Sequence, residues 1–290
     1  MSSAALRKVP LFLESIKFSH SVFALPFALV SMLVAAGGMP GLWTLFWIVV
    51  AVVAARTAAM SFNRLADAYI DARNPRTAAR PLVTGELGPG LHQVALAAAS
   101  LVFVFAAGML NRTCLYLSPP VLAILLGYSL TKRFTSYSHY VLGLALGLAP
   151  LGAWIAVTES LALVPVLLSA TVLLWVAGFD ILYSCQDVEV DRREEGLHSM
   201  PKRLGVAGAM QLSRQSHGAA LVFLLLFWWM AGLGFLSLLG VLGVGALLVR
   251  QHRLVSPTDL KRIDAAFFTS NGIISIGFFV LVFLDLVVFG

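Results

Sequence analysis

Nine apolar runs, each near the length of about 20 residues that a helix needs to cross a bilayer, limit what this chain can fold into: 17–37, 41–70, 90–110, 113–131, 139–158, 163–188, 207–231, 233–249 and 267–289. In hydrocarbon every backbone N–H and C=O must be paired within the protein, and a helix pairs them within its own segment. The expected fold is therefore all-α: a polytopic membrane helical bundle of about nine transmembrane helices, one domain over residues 1–290, with cytoplasmic caps over a central cavity. Composition agrees, since 12% of the residues are charged against roughly 25% in soluble domains. The first run has no small-residue cleavage site and flows into a full span, so a removed signal peptide is not expected. Cys114 and Cys185 both fall inside spans, which suggests neither a disulfide framework nor a cysteine metal site.

The net charge of +6 would suggest a nucleic-acid partner in a soluble protein, but its distribution here points to topology. Basic residues gather before the first span (Arg7, Lys8, Lys17) and after the second (Arg73, Arg76, Arg80), fourth (Lys132, Arg133), sixth (Arg192, Arg193, Lys202, Arg203) and eighth (Arg250, Arg253, Lys261, Arg262). Alternate loops carry only Arg112. By the positive-inside rule the N-terminus and these basic loops face the cytoplasm, and Gly290 lies outside.

Against this apolar background, two acidic stretches stand out. In NRLADAYIDARNPRTAARP, Asn63, Asp67 and Asp71 are four residues apart and share one helix face. Like charges stacked this way repel and lose hydration near a membrane, so folding alone gives no reason for them and a bound cation does. In DILYSCQDVEVD, Asp187 and Asp191 repeat the spacing, and Asp180 lies seven residues before Asp187. The recurrence of an acidic helix end followed by a basic loop is an internal pseudo-repeat, a pattern that places sites between halves. Carboxylate and amide oxygens suit magnesium better than zinc. Arginines beside such carboxylates add planar donor forks, and together they form a receptor for a metal–diphosphate complex.

Other polar residues have two readings each. Arg56, two turns before Asn63, either pairs with an aspartate or binds an anion. Tyr128, one turn before Lys132, is an interfacial anchor or a site residue, and Tyr183 before Asp187 parallels it. Gly143, Gly147 and Gly152 mean close helix packing or a passage for a slender apolar ligand. His20 reads as an interfacial hydrogen-bonding residue. Ser118-Pro119-Pro120 kinks or starts the fourth span. Spans seven to nine, apart from Ser270, Asn271, Ser275 and Asp285, read as an apolar wall.

Asn63-x3-Asp67-x3-Asp71 with PRTAARP, and Asp180-x2-Tyr183-x3-Asp187-x3-Asp191 with GLHS, resemble the two signatures of the UbiA superfamily of intramembrane prenyltransferases. FSHSVFALPFAL, Arg56 and Tyr128-x3-Lys132-Arg133 extend the resemblance over about residues 15–205. It implies magnesium held through Asn63, Asp67, Asp71, Asp187 and Asp191, with Arg56, Arg76 and Lys132 near the phosphates and Tyr128 and Tyr183 flanking the allylic carbon. Asp180 or Asp191 then assists the ring proton, and Arg133 pairs with an acceptor carboxylate. The implied substrates are a polyprenyl diphosphate and a hydroxylated aromatic acid, 4-hydroxybenzoate first, in quinone biosynthesis in the cytoplasmic membrane. GLHSMP departs from the run expected of 4-hydroxybenzoate enzymes and keeps a dihydroxynaphthoate acceptor open. A cation transporter is the reading from a different class; its acids are expected nearer mid-membrane.

Overall fold

A computed structural model describes residues 3–17 and 23–289, and among these no strand forms beyond the isolated bridge Ser256–Asp259. His20 and the start of the FSHSVF run lie outside the described residues. Helix α1 (Ser3–Ser15) precedes α2 (Leu25–Ala36), α3 (Leu42–Arg73), α4 (Pro89–Leu110), α5 (Arg112–Thr131), α6 (Ser138–Thr158) and α7 (Leu163–Ser184). A 3-10 turn at Cys185–Asp187 leads into the short α8 (Val188–Arg193), followed by α9 (Met200–Met230), α10 (Phe235–Arg253) and α11 (Ser270–Phe283).

Each predicted span coincides with a helix, but seven of the described helices are long and apolar enough to cross a membrane. Helix α2 is apolar but has 12 residues. Helix α9 has 31 residues, yet Ser213-Arg214-Gln215-Ser216-His217 interrupts its apolar run. That corrects the reading of spans seven to nine as an apolar wall. Ser213, Ser216 and His217 are buried because α9 uses them to grip its neighbours: Ser213 Oγ donates to Gly178 O at 2.6 Å, Ser216 Oγ meets Tyr140 OH at 2.9 Å, and His217 Nδ1 meets His252 Nε2 at 2.9 Å.

Helix α7 runs through the middle of the bundle. Leu168, Val172, Trp175, Val176 and Phe179 pack with Phe27 of α2, Leu224 and Phe227 of α9 and Phe278 of α11. Lipid tails are as apolar as these side chains, so close van der Waals fit rather than hydrophobic exclusion joins the helices. Two glycines make that fit possible. A Cβ on Gly143 would come within 2.2 Å of Leu173 O, and one on Gly147 within 2.8 Å of Ser169 O, so α6 and α7 meet backbone to backbone. Gly152 has nothing within 4 Å of its Cβ position and borders a cavity instead. Packing and passage are thus divided along one helix. Pro119 and Pro120 sit inside a continuous α5, whose N-cap is Asn111: its side chain accepts from Cys114 N–H.

Candidate active site

The C-terminal ends of α3 and α7 border a cavity of about 870 Å³ lined by both charged and apolar side chains. Its wall includes Asn63, Asp67 and Asp71 from α3, Asp180 and Tyr183 from α7, Asp187 from the 3-10 turn and Asp191 from α8. Asn63 donates from Nδ2 to Asp67 Oδ2 at 2.8 Å, as residues one turn apart should. Asp67 is 2% exposed and takes a salt bridge from Lys132 Nζ at 2.7 Å, with Arg133 at 3.5 Å. Asp71 is held by Arg80, with Arg64 at 3.9 Å. Arg76 grips Asp187 with both prongs of its guanidinium, at 2.9 and 2.6 Å, and Asn74 Nδ2 adds a third bond at 2.8 Å. Burial works to lower the Arg76 pKa, but the hydrogen bonds and charge of Asp187 outweigh it, so the guanidinium is held above its ordinary value and stays charged. Asp191 accepts from Ser199 Oγ at 2.6 Å.

The expected metal ligands therefore share one cavity without converging. Among the described residues no three of His, Cys, Asp and Glu lie close enough together to hold an ion by themselves. The reason is electrostatic: Asp67, Asp71 and Asp187 take the nearest cations, Lys132, Arg80 and Arg76, as counter-charges. The donor set still fits magnesium. It consists of carboxylate and amide oxygens, and magnesium keeps several waters and shares its remaining positions with phosphate oxygens.

Arg56 and Tyr128 stand where this cavity adjoins a second, apolar one of about 270 Å³ between α3, α4, α5 and α6; both residues line both spaces, as do Met60, Leu142 and Leu146. Among the described residues Arg56 pairs with no aspartate; it donates to Lys17 O at 3.0 Å. The Tyr183 ring stacks on Phe267 with centroids 4.2 Å apart, and the Arg76 guanidinium lies over it at 5.2 Å. Arg133 departs from expectation. Its guanidinium donates to Ala66 O at 2.6 Å and Ser129 O at 3.3 Å, bracing α5 against α3, and among the described residues it does not line the cavity. Like Lys132 it reaches Asp67, at 3.5 Å, but its shorter bonds go to the backbone carbonyls.

Several residues of the site escape the sequence reading. Arg64, next to Asn63, is 4% exposed and donates to Ser15 O at 2.8 Å, tying α1 to the cavity rim. Asn74 and Ser199 orient Asp187 and Asp191. His139, at the first turn of α6, meets Asp180 with Nδ1 to Oδ2 at 2.6 Å. A polar residue opening an apolar span is the available signal for His139; its partner lies 41 residues away and gives none.

The UbiA prenyltransferase family matches residues 24–273. A 4-hydroxybenzoate octaprenyltransferase of Aeromonas salmonicida is 32% identical over 242 residues, covering 82% of this chain and 81% of that protein. The namesake enzyme of Citrobacter koseri is also 32% identical, over 82% of each. Among solved structures, an apo UbiA homologue from Aeropyrum pernix K1 is similar over 92% of this chain and 98% of its own, with 34% identity and a TM-score of 0.84. A UbiA homologue from Archaeoglobus fulgidus, solved with DMAPP and Mg2+, shares the fold at 18% identity and a TM-score of 0.72, over 95% of this chain and 98% of that chain.

Proposed function

The chain belongs to the UbiA prenyltransferase family, and from that premise we propose that it transfers a polyprenyl group from a polyprenyl diphosphate to a hydroxylated aromatic acid, 4-hydroxybenzoate first, in quinone biosynthesis at the cytoplasmic membrane. The observation that carries this reading is the junction of the two cavities. A polar chamber lined by paired acids and bases opens, at Arg56 and Tyr128, beside an apolar chamber. A diphosphate suits the first and an isoprenoid tail the second. The name of the relatives and the magnesium and DMAPP bound to the Archaeoglobus homologue support the same chemistry.

In this reading Asn63, Asp67, Asp71, Asp187 and Asp191 hold the magnesium–diphosphate complex, directly or through water. Bound magnesium supplies positive charge to the leaving diphosphate. Arg76 and Lys132, already in the chamber, exchange part of their contact with Asp187 and Asp67 for phosphate oxygens. Arg56 stands at the entrance to the apolar space, and the Tyr128 and Tyr183 rings flank the carbon that becomes electron-deficient as its bond to oxygen lengthens. The ring carbon ortho to the acceptor hydroxyl bonds to that carbon, and Asp180 or Asp191 takes the ring proton. The GLHSMP run, whose His198 lines the chamber, departs from the run expected of 4-hydroxybenzoate enzymes and makes a dihydroxynaphthoate the second acceptor to test.

The test is a radiolabelled prenyl-transfer assay on purified protein, with and without magnesium, offering 4-hydroxybenzoate and a dihydroxynaphthoate in parallel. Magnesium-dependent product from 4-hydroxybenzoate is the expected result; product from the naphthoate alone would reassign the acceptor. A magnesium-insensitive protein that instead dissipates a cation gradient in liposomes would move it to the transporter class.

A further inference from the structure

Asp180 is set apart from the other aspartates of the two acidic motifs by its partner. Asp67, Asp71 and Asp187 are each held by an ammonium or guanidinium group, and Asp191 by the Ser199 hydroxyl and the magnesium role assigned to it. A carboxylate fixed by a permanent cation resists taking a proton, because protonation forfeits the ion pair. Asp180 meets an imidazole instead. The orientation of that imidazole is fixed from its far side: Met200 N–H points at His139 Nε2 at 3.4 Å, so Nε2 is the acceptor and Nδ1 carries the hydrogen given to Asp180 Oδ2. Both residues line the chamber, but the His139 side chain is 6% exposed and that of Asp180 28%, so the carboxylate offers most of the accessible surface. Among the described residues Asp180 Oδ1 accepts no hydrogen bond. Asp180 lies one turn deeper than Tyr183, where the wall turns apolar through Leu142, Leu146, Val176 and Phe179.

We infer that His139 is a positioning residue which, by donating Nδ1–H to Asp180 while accepting from Met200 N–H, holds Asp180 as an oriented, ionised base with Oδ1 turned to the acceptor ring. This rests on the prenyl-transfer reading and decides between Asp180 and Asp191 within it. In the step concerned, the allylic carbon–oxygen bond breaks with its electron pair leaving on the diphosphate. The ring carbon forms the new carbon–carbon bond. Its C–H bond then breaks, the pair restoring aromaticity and the proton passing to Asp180 Oδ1, from which water in the chamber removes it. His139 keeps its Nδ1–H bond to Asp180 through this step.

The experiment compares the full-length wild type with His139→Leu, His139→Phe and His139→Asn, using acceptor carrying hydrogen or deuterium at the attacked ring position. Asparagine keeps a donor at the place of Nδ1, while leucine and phenylalanine remove it, and two removal variants protect against one failing to fold. The expected result is kcat lowered by about 100-fold, in line with the loss of a positioned base, with the prenyl-diphosphate KM unchanged and a primary deuterium isotope effect that the wild type and His139→Asn do not show. A removal variant with wild-type kcat and no isotope effect would overturn the role of His139, as would a loss that His139→Asn shares in full. A wild-type protein that makes no prenylated aromatic product would sink the prenyl-transfer reading itself, and the inference with it.

Discussion

The acidic end of α3 and the acidic end of α7 have nearly the same sequence plan and different structures. Helix α3 runs unbroken through Asn63, Asp67 and Asp71 to Arg73, so its three ligand candidates remain one turn apart on a rigid rod. Helix α7 stops at Ser184, and the chain passes through the 3-10 turn before α8 begins. Asp180, Asp187 and Asp191 therefore stand on three separate elements. Their partners differ in kind as well, since both α3 acids are held by cations, whereas Asp180 and Asp191 are held by neutral donors. The α3 end is built to anchor charge. The α7 end keeps one acid for charge, Asp187, and leaves the others free to exchange ligands or protons.

The largest effect that bears on this division should come from removing the charge-bearing acid of each side. Asp67→Asn and Asp187→Asn keep volume and hydrogen bonding but leave Lys132 and Arg76 without a counter-charge. Each should lower prenyl transfer by about 10²–10³-fold, the cost of losing one preorganised electrostatic contact, with the protein still inserted in membranes. Near-normal turnover in either would remove that residue from the magnesium–diphosphate assignment.

Next in size is Arg76→Lys. Lysine keeps the charge but not the two-pronged grip on Asp187 or the plane lying over Tyr183. Turnover should fall by about 10-fold, with a raised KM for the prenyl diphosphate. Arg133→Lys is the contrast on the α3 side. Its guanidinium ties backbone carbonyls, so thermal stability should drop while the acceptor KM stays put; a raised acceptor KM would restore the carboxylate role expected from sequence.

Much of this architecture is legible in the sequence because lipid allows few solutions. The predicted runs 113–131 and 139–158 end within a residue of α5 and α6, since Asn111 and the Lys132–Arg133 pair mark where hydrocarbon stops. The site acids are legible for the same reason: a carboxylate beside an apolar run is costly unless it is used. What escapes is whatever depends on direction. Nothing in Ser184-Cys185-Gln186 carries a glycine or proline to announce that the helix tightens into a 3-10 turn there. The inward stripe of α9, Ser213, Ser216 and His217, is hidden in a run whose average is apolar, because the hydrogen-bond partners it meets belong to α6, α7 and α10. The partners of Arg133 and His139, Ala66 O and Asp180, lie 67 and 41 residues away, and local spacing is silent on them.

Gly143 and Gly152 carry the comparison down the length of α6, which supports the α7 end of the site. Gly143→Ala would drive a methyl into the Leu173 carbonyl, and overpacking of this kind costs about 1–3 kcal/mol. Because His139 begins one turn before Gly143, a shifted α6 should also loosen its bond to Asp180. Thermal unfolding in detergent should then show a lowered midpoint together with a several-fold loss of turnover. Gly152→Ala meets no protein atom within 4 Å and should leave the unfolding midpoint unchanged.

The smallest expected effect tests the neutral partner of Asp191. Ser199 Oγ donates to Asp191 and also accepts from Lys202 N–H at 3.3 Å, so one hydroxyl caps α9 and orients an acid of α8. Ser199→Ala should cost about 1 kcal/mol of stability through the lost cap, and Asp191, without the hydroxyl that orients it, should become less ordered. If Asp191 serves magnesium, the variant will need a few-fold more magnesium for half-maximal activity while keeping its maximal rate. If Asp191 were the base for the ring proton, the maximal rate itself would fall and added magnesium would not restore it. The split between those two titrations therefore tells which of the two neutral-partnered acids does the proton chemistry, without touching either carboxylate.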